Sequence, residues 1–191
     1  KRRLSSARNL GSYEYHLSRA IALGREHGLT PVLSTVVSNI ADMDPAVPFG
    51  SIPEKEAVRI LDRGAELEDR REWARALEYY QVALEKHPPL RTYLRFRIAK
   101  CEQALGRLIE ARELFWAVVD ENERDNFGRA TLRLNAAIKR IAAERRVALV
   151  DALGLFESRS PGKLLDHGWI MDGQHPTVEG HMLLAAEYAK A

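Results

Sequence analysis

Apolar and polar positions alternate with a helical period over most of this chain, broken in two places by short apolar runs too brief for helices. Residues 13 to 27 carry Tyr13, Leu17, Ala20, Ile21 and Leu23 at helical spacing, and Gly28 supplies a left-handed stop before Leu29-Thr30-Pro31. The spacing predicts a helix leading into a strand, Val32-Leu33-Ser34-Thr35-Val36-Val37, whose mostly apolar, β-branched run suits a parallel strand buried on both faces. The stretch from Ser38-Asn39-Ile40-Ala41-Asp42 to Pro48-Phe49-Gly50 is rich in turn formers and is expected as a loop at the strand's carboxyl end, where open α/β sheets place ligands.

From Pro53 the pattern is continuously helical, and it repeats. Ala76, Tyr80, Ala83 and Pro88, with Gly64 twelve residues before Ala76, are matched 35 residues on by Ala111, Phe115 and Val118, with Ala99 in the place of Gly64 and Gly106 at the turn. Small residues at these spacings let antiparallel helices approach closely, while Tyr80 and Phe115 fill the gap to the next pair. Helices are expected at about 54 to 68, 73 to 86, 91 to 105 and 108 to 121. The second copy has Glu123 where the first has Pro88. About three repeats are needed to bury a continuous solenoid core, so the next helix, 127 to 145, is expected to cap the array. Val147-Ala148-Leu149-Val150-Asp151 then reads as a second short buried strand, residues 152 to 171 as irregular, and Thr177 to Tyr188 as a last helix packed on the sheet. This order describes a βαβ unit with a helical-hairpin array spliced into its crossover.

Composition narrows the function classes. The 191 residues are 46% hydrophobic and 29% charged, an ordinary globular balance. The 29 basic and 27 acidic side chains are interleaved, which gives no electrostatic case for nucleic acid, and the Lys1-Arg2-Arg3 start is too short to change that. Cys101 is the only cysteine, so neither an intrachain disulfide nor a thiolate metal cluster is available. No apolar run reaches the length of a membrane span or a signal-peptide core. The absence of an initiating Met suggests a piece of a longer protein.

One stretch carries chemistry. In Asp172-Gly173-Gln174-His175-Pro176, a carboxylate and an imidazole stand three residues apart across a Gly-containing turn, just before a helix whose first turn Pro176 suits. Asp172 can accept from the His175 Nδ1–H and leave Nε2 as a base, the arrangement that activates a serine hydroxyl. The bland alternative is a helix cap beside a surface histidine. A third reading makes Asp172, His175 and His181 metal ligands, because two imidazoles and a carboxylate are a recognised set.

The flanking segments resemble the C-terminal half of an SGNH (GDSL-like) hydrolase, and the middle resembles a tetratricopeptide array inserted in it. Asp172-x-x-His175 resembles the family's final block, followed by Gly180-His181. Leu33 to Asn39 with Pro45 and Phe49 resembles the fourth strand and loop of repeat-bearing hydrolases of this kind, and Val147 to Asp151 the fifth strand. The resemblance implies a flavodoxin-like three-layer α/β fold, here an incomplete one with two parallel strands and mostly helical overall. It divides into hydrolase-like residues 1–52, helical repeats over 53–125 (about 57–90 and 92–125), and hydrolase-like residues 126–191. It implies ester hydrolysis on small-molecule, carbohydrate or lipid substrates, with Asp172 as orienter, His175 as general base and Asn39 on a loop beside them, and no cofactor or metal. The family's Ser block and its oxyanion Gly and Asn blocks do not occur in these residues, and Asn39 follows the wrong strand to serve as the oxyanion Asn. The activity therefore needs a serine from outside them. Relatives of this kind often carry an N-terminal membrane anchor. The alternative is a binding module in which the array meets a peptide or protein partner on a degenerate hydrolase scaffold, with Tyr79, Tyr93 and the Arg91/Arg95/Arg97 cluster lining a face or simply solvated. A sheet reduced to two strands exposes an edge, so self-association or marginal stability is expected.

Overall fold

The structure, a computed structural model, describes residues 6–46, 53–121 and 128–190. Lys1-Arg2-Arg3, Phe49 with its Pro48 and Gly50 neighbours, and Glu123 lie outside them. The described chain is mostly helical with one small parallel sheet. Helix α1 (Ser6–Glu26) leads to β1 (Val32–Ser34). Four helices follow, α2 (Glu54–Asp69), α3 (Trp73–Lys86), α4 (Arg91–Ala104) and α5 (Leu108–Glu121). Then come α6 (Leu132–Arg145), β2 (Ala148–Val150), α7 (Ala152–Arg159) and α8 (Val178–Tyr188). β1 and β2 pair in parallel, Val32 with Ala148 through Ser34 with Val150, across the inserted helices.

The strands are shorter than their apolar runs, for a local reason. Thr35 still donates its N–H to Val150 O at 3.1 Å. At Val36 the backbone turns to Asn135 of α6 instead: the N–H donates to Asn135 Oδ1 at 2.7 Å and the carbonyl accepts from Nδ2 at 2.9 Å. A side-chain amide takes the place of the next ladder step. Nor are the strands buried on both faces, since Val32 is 38% exposed and Ala148, its partner on β2, is exposed as well.

The helical hairpins follow the small-residue pattern closely. Gly64, Ala76, Ala83, Ala99 and Ala111 are all buried, so α2 to α5 approach one another at these points. Two cores result. Ile60, Leu67, Leu77, Tyr80, Leu90 and Leu94 form one around the first hairpin. The second hairpin gives Phe96, Ala99, Phe115, Trp116 and Val119 to a larger core shared with Val37, Ile40, Val150, Phe156, Leu165 and Ile170.

Three further expectations change. Helix α6 begins at Leu132, N-capped by Thr131, whose hydroxyl accepts from Leu134 N at 3.1 Å. Its Ile138, Ile141 and Ala142 pack with Ile21 and Leu33, so it covers the sheet with α1 and only its start touches the array, where Leu132 N donates to Asp120 Oδ1 at 2.9 Å. The array's far end is covered instead by residues 152–165, read from sequence as irregular. There Asp151 caps α7 by accepting from Gly154 N at 3.2 Å, and a Cβ on Gly162 would stand 2.3 Å from that of Leu108. Finally, α8 does not lie on the sheet: Leu183 and Leu184 reach the core beside Trp169, Val178 and Met182 are 72% and 69% exposed, and a gap of about 230 Å³ separates Leu184 and Tyr188 from β1.

Candidate active site

The segment 170–176 is a tight loop pinched at its base. Ile170 and Pro176 form an antiparallel bridge flanked by Met171 N donating to His175 O and Thr177 N donating to Trp169 O, both at 2.8 Å. Pro176 therefore precedes the helix rather than filling its first turn. Thr177 is the N-cap, its hydroxyl accepting from Gly180 N at 3.1 Å, and the missing proline N–H costs nothing in a bridge made by its neighbours. Gly180 is required here by close approach, since a Cβ would lie 2.7 Å from Trp169 O.

Inside the loop, Asp172 organises everything around it. Its Oδ1 accepts from the backbone N–H of Gln174 at 2.8 Å and of His175 at 2.9 Å, while Oδ2 stands 2.7 Å from His175 Nδ1. The Gln174 N–H, the His175 ring and the His175 N–H together hold the Asp172 carboxyl well below the usual carboxylate range. An ionised carboxylate can only accept, so in the neutral imidazole Nδ1 carries the proton and Nε2 presents the lone pair. Both side chains are open to solvent, His175 at 66% and Asp172 at 52%, which leaves Nε2 accessible to a reacting group.

Asn39 reaches this loop as a tether and not as a surface. It is fully buried, donates from Nδ2 to Ile170 O at 3.1 Å and from its backbone N–H to Gly173 O at 3.3 Å, and its Oδ1 accepts from Asp42 N at 2.9 Å. Both ends of its amide are engaged, so Asn39 sets the position of the Asp172 loop from behind. Pattern reading missed Arg129, which is 2% exposed and whose guanidinium reaches the carbonyls of Asn39 and Met43 at 3.5 and 3.4 Å. Burial pushes that guanidinium down from its ordinary value. No periodicity marked it, because its partners lie about 90 residues away in sequence.

Asp42 also closes this side. It accepts from His167 N at 3.0 Å and Lys100 Nζ at 3.1 Å, with His167 Nδ1 at 3.4 Å. Burial raises its carboxyl, but the His167 N–H and the Lys100 ammonium outweigh that and leave it below the ordinary value. Lys100 belongs to α4, so the inserted helices are pinned to the Asn39 loop. Arg97 reinforces the joint: it pairs with Glu68 and reaches Asp44 at 3.4 Å, and Arg95 pairs with Glu121. Arg95 and Arg97 are thus in ion pairs, not simply solvated.

Among the described residues no group of three or more His, Cys, Asp and Glu side chains is gathered to hold a metal ion, so Asp172, His175 and His181 do not form the ligand set that the sequence allowed. No helix of the described residues is long and apolar enough to cross a membrane. No family model, no curated protein and no solved structure matches the chain.

Proposed function

We propose that this chain supplies the Asp–His half of a serine ester hydrolase of SGNH/GDSL type, His175 acting as general base and Asp172 as its orienter, with a tetratricopeptide-like array serving protein interaction. The observation that carries the proposal is the Asp172–His175 contact at 2.7 Å, in a loop whose geometry fixes both partners and leaves Nε2 open. A carboxylate already held by two backbone N–H groups costs little to keep oriented, and it stabilises the imidazolium that forms when Nε2 takes a hydroxyl proton. The serine would come from residues outside this sequence, and Asn39 and Arg129 would act only by positioning the loop. Residues 13–50 and 127–191 carry the resemblance; the substrate class it implies is an ester of a small molecule, carbohydrate or lipid.

The test is labelling of the protein, expressed from its complete reading frame, with a serine-directed fluorophosphonate. Labelling that His175→Ala and Asp172→Asn both suppress is expected. Absence of labelling, or labelling indifferent to His175→Ala, would remove the hydrolase reading and leave the protein-binding alternative.

A further inference from the structure

The free end of the helical array is a groove of about 780 Å³ between α2 and α3. Its lining includes open apolar surface: Val58 and Val82 are 40% and 44% exposed, and Tyr79, half-buried, lines it with them. One valine from each helix thus lends the groove exposed apolar surface. The rim is cationic. Of its charged residues, Arg63 is paired with Glu66 at 2.7 Å and His87 faces Glu56 at 3.4 Å. Lys55, Arg59 and Lys86 have no ion pair or hydrogen bond among the described residues, and Asp62 is the one carboxylate of the described lining without an ion pair of its own.

We propose that this groove docks an acidic amphipathic segment of a protein partner, apolar side chains on the Val58–Tyr79–Val82 surface and carboxylates against Lys55, Arg59 and Lys86. The shape suits a helix. The lining runs from Lys55 to Glu66 along α2, about 17 Å at the α-helical rise, which is room for about three turns laid between two helices. The charge disfavours a second copy, because a two-fold contact through this end would bring two cationic rims together. It also disfavours a lipid surface, since valines recessed in a groove cannot reach the acyl region as a convex amphipathic face does. The inference rests on the protein-interaction part of the proposed function and not on the Asp172–His175 reading.

The probe is a fluorescein-labelled helical peptide of about 16 residues with Leu at i, i+3, i+4 and i+7 and Glu on the flanks, beside a twin with Lys for Glu, both followed by anisotropy. The Glu peptide is expected to bind at least about tenfold more tightly than the Lys twin, and to weaken as salt screens the rim. Arg59→Glu with Lys86→Glu, or Val82→Glu alone, should each weaken it at least about tenfold, at unchanged far-UV circular dichroism. His175→Ala should bind the peptide as the parent does, so loss of labelling and loss of docking are separable failures. Equal binding of the twins, indifference to the charge reversals, or no saturable binding by about 1 mM peptide would overturn the proposal. So would dimerisation that Val82→Glu abolishes, or capture by phosphatidylserine vesicles with no peptide preference.

Discussion

Replacing Gly64 with Ala separates two opposed effects and reports on how the array is closed. In an exposed helix the change is favourable by about 1 kcal/mol, because Ala loses less backbone freedom than Gly. At Gly64 the new Cβ would stand 2.3 Å from Cε1, Cζ and Oη of Tyr80, whereas carbon contacts are comfortable at about 3.5 Å. The ring must retreat by about 1 Å or more, and it has nowhere to go: Tyr80 is 1% exposed, and its hydroxyl donates to Glu68 Oε1 at 2.5 Å. Overpacking costs about 1–3 kcal/mol, and weakening a hydrogen bond to a charged acceptor about 1.5–3 kcal/mol. Net of the propensity gain, Gly64→Ala should destabilise by roughly 1.5–5 kcal/mol. Urea unfolding followed by circular dichroism measures it, and the same change in a Tyr80→Leu background, where the ring is absent, should be near neutral or mildly stabilising. A Gly64→Ala protein as stable as the parent would mean that α2 and α3 are further apart than described.

Three further outcomes follow from groups already placed. Because the Asp172 carboxyl is held below the ordinary range, whatever it adds to stability is present above about pH 4 and is lost as acid protonates the folded carboxylate. A carbonyl-carbon NMR titration should find its midpoint below about 3.9, and under the proposed hydrolase function Asp172→Asn should cut ester hydrolysis by about 10²–10⁴-fold. Burial, with the Glu68 charge nearby, pushes the Cys101 thiol up to about 12. A raised thiol stabilises fully below the unfolded value of about 8.5 and loses that contribution as pH rises, so unfolding free energy should fall by up to about 1.4 kcal/mol per pH unit above 8.5, less steeply in Cys101→Ala, with disulfide reagents reacting only after denaturation. Asn39→Ala strips partners from Ile170 O and Asp42 N and should lower stability by about 2–4 kcal/mol in thermal melts; a neutral effect would show that the tether is not needed.

What pattern alone revealed, and what it did not, divides by distance along the chain. The helices of the array are legible because small residues at fixed offsets and a helical period act within one hairpin. The Asp172–His175 contact is legible for the same reason, both partners and the turn between them lying in four residues. Strand length is not legible in the same way, because the apolar run says nothing of Asn135, about 100 residues on, which ends the ladder at Val36. Helix α7 is hidden although Asp151 before Ala152-Leu153 is an N-cap signal, because eight residues containing Gly154 and Ser158 give too little period to outweigh the loop composition. Asn39 drew attention by its position in a loop, but its role depends on Ile170, 131 residues away, and only the folded chain shows it facing inward.

The two hairpins of the array differ in what they hold up, and this gives a last test. Tyr80 belongs to the core of the first hairpin, together with Leu90 and Leu94. Phe115 belongs to the core that contains Leu165 and Ile170, and Ile170 forms the base of the Asp172 loop. Truncating either aromatic ring to Leu should cost stability, for Phe115 about 1–2 kcal/mol of lost packing. Only the Phe115 change removes support from beneath the loop. Hydrogen exchange at Met171 N, which donates to His175 O at 2.8 Å, should therefore quicken in Phe115→Leu by more than the global loss explains, and in Tyr80→Leu by no more than it explains. Equal, purely global acceleration in both variants would mean that the cores are coupled as one. In that case the first hairpin could not be changed, or occupied at its free end, without the dyad loop responding.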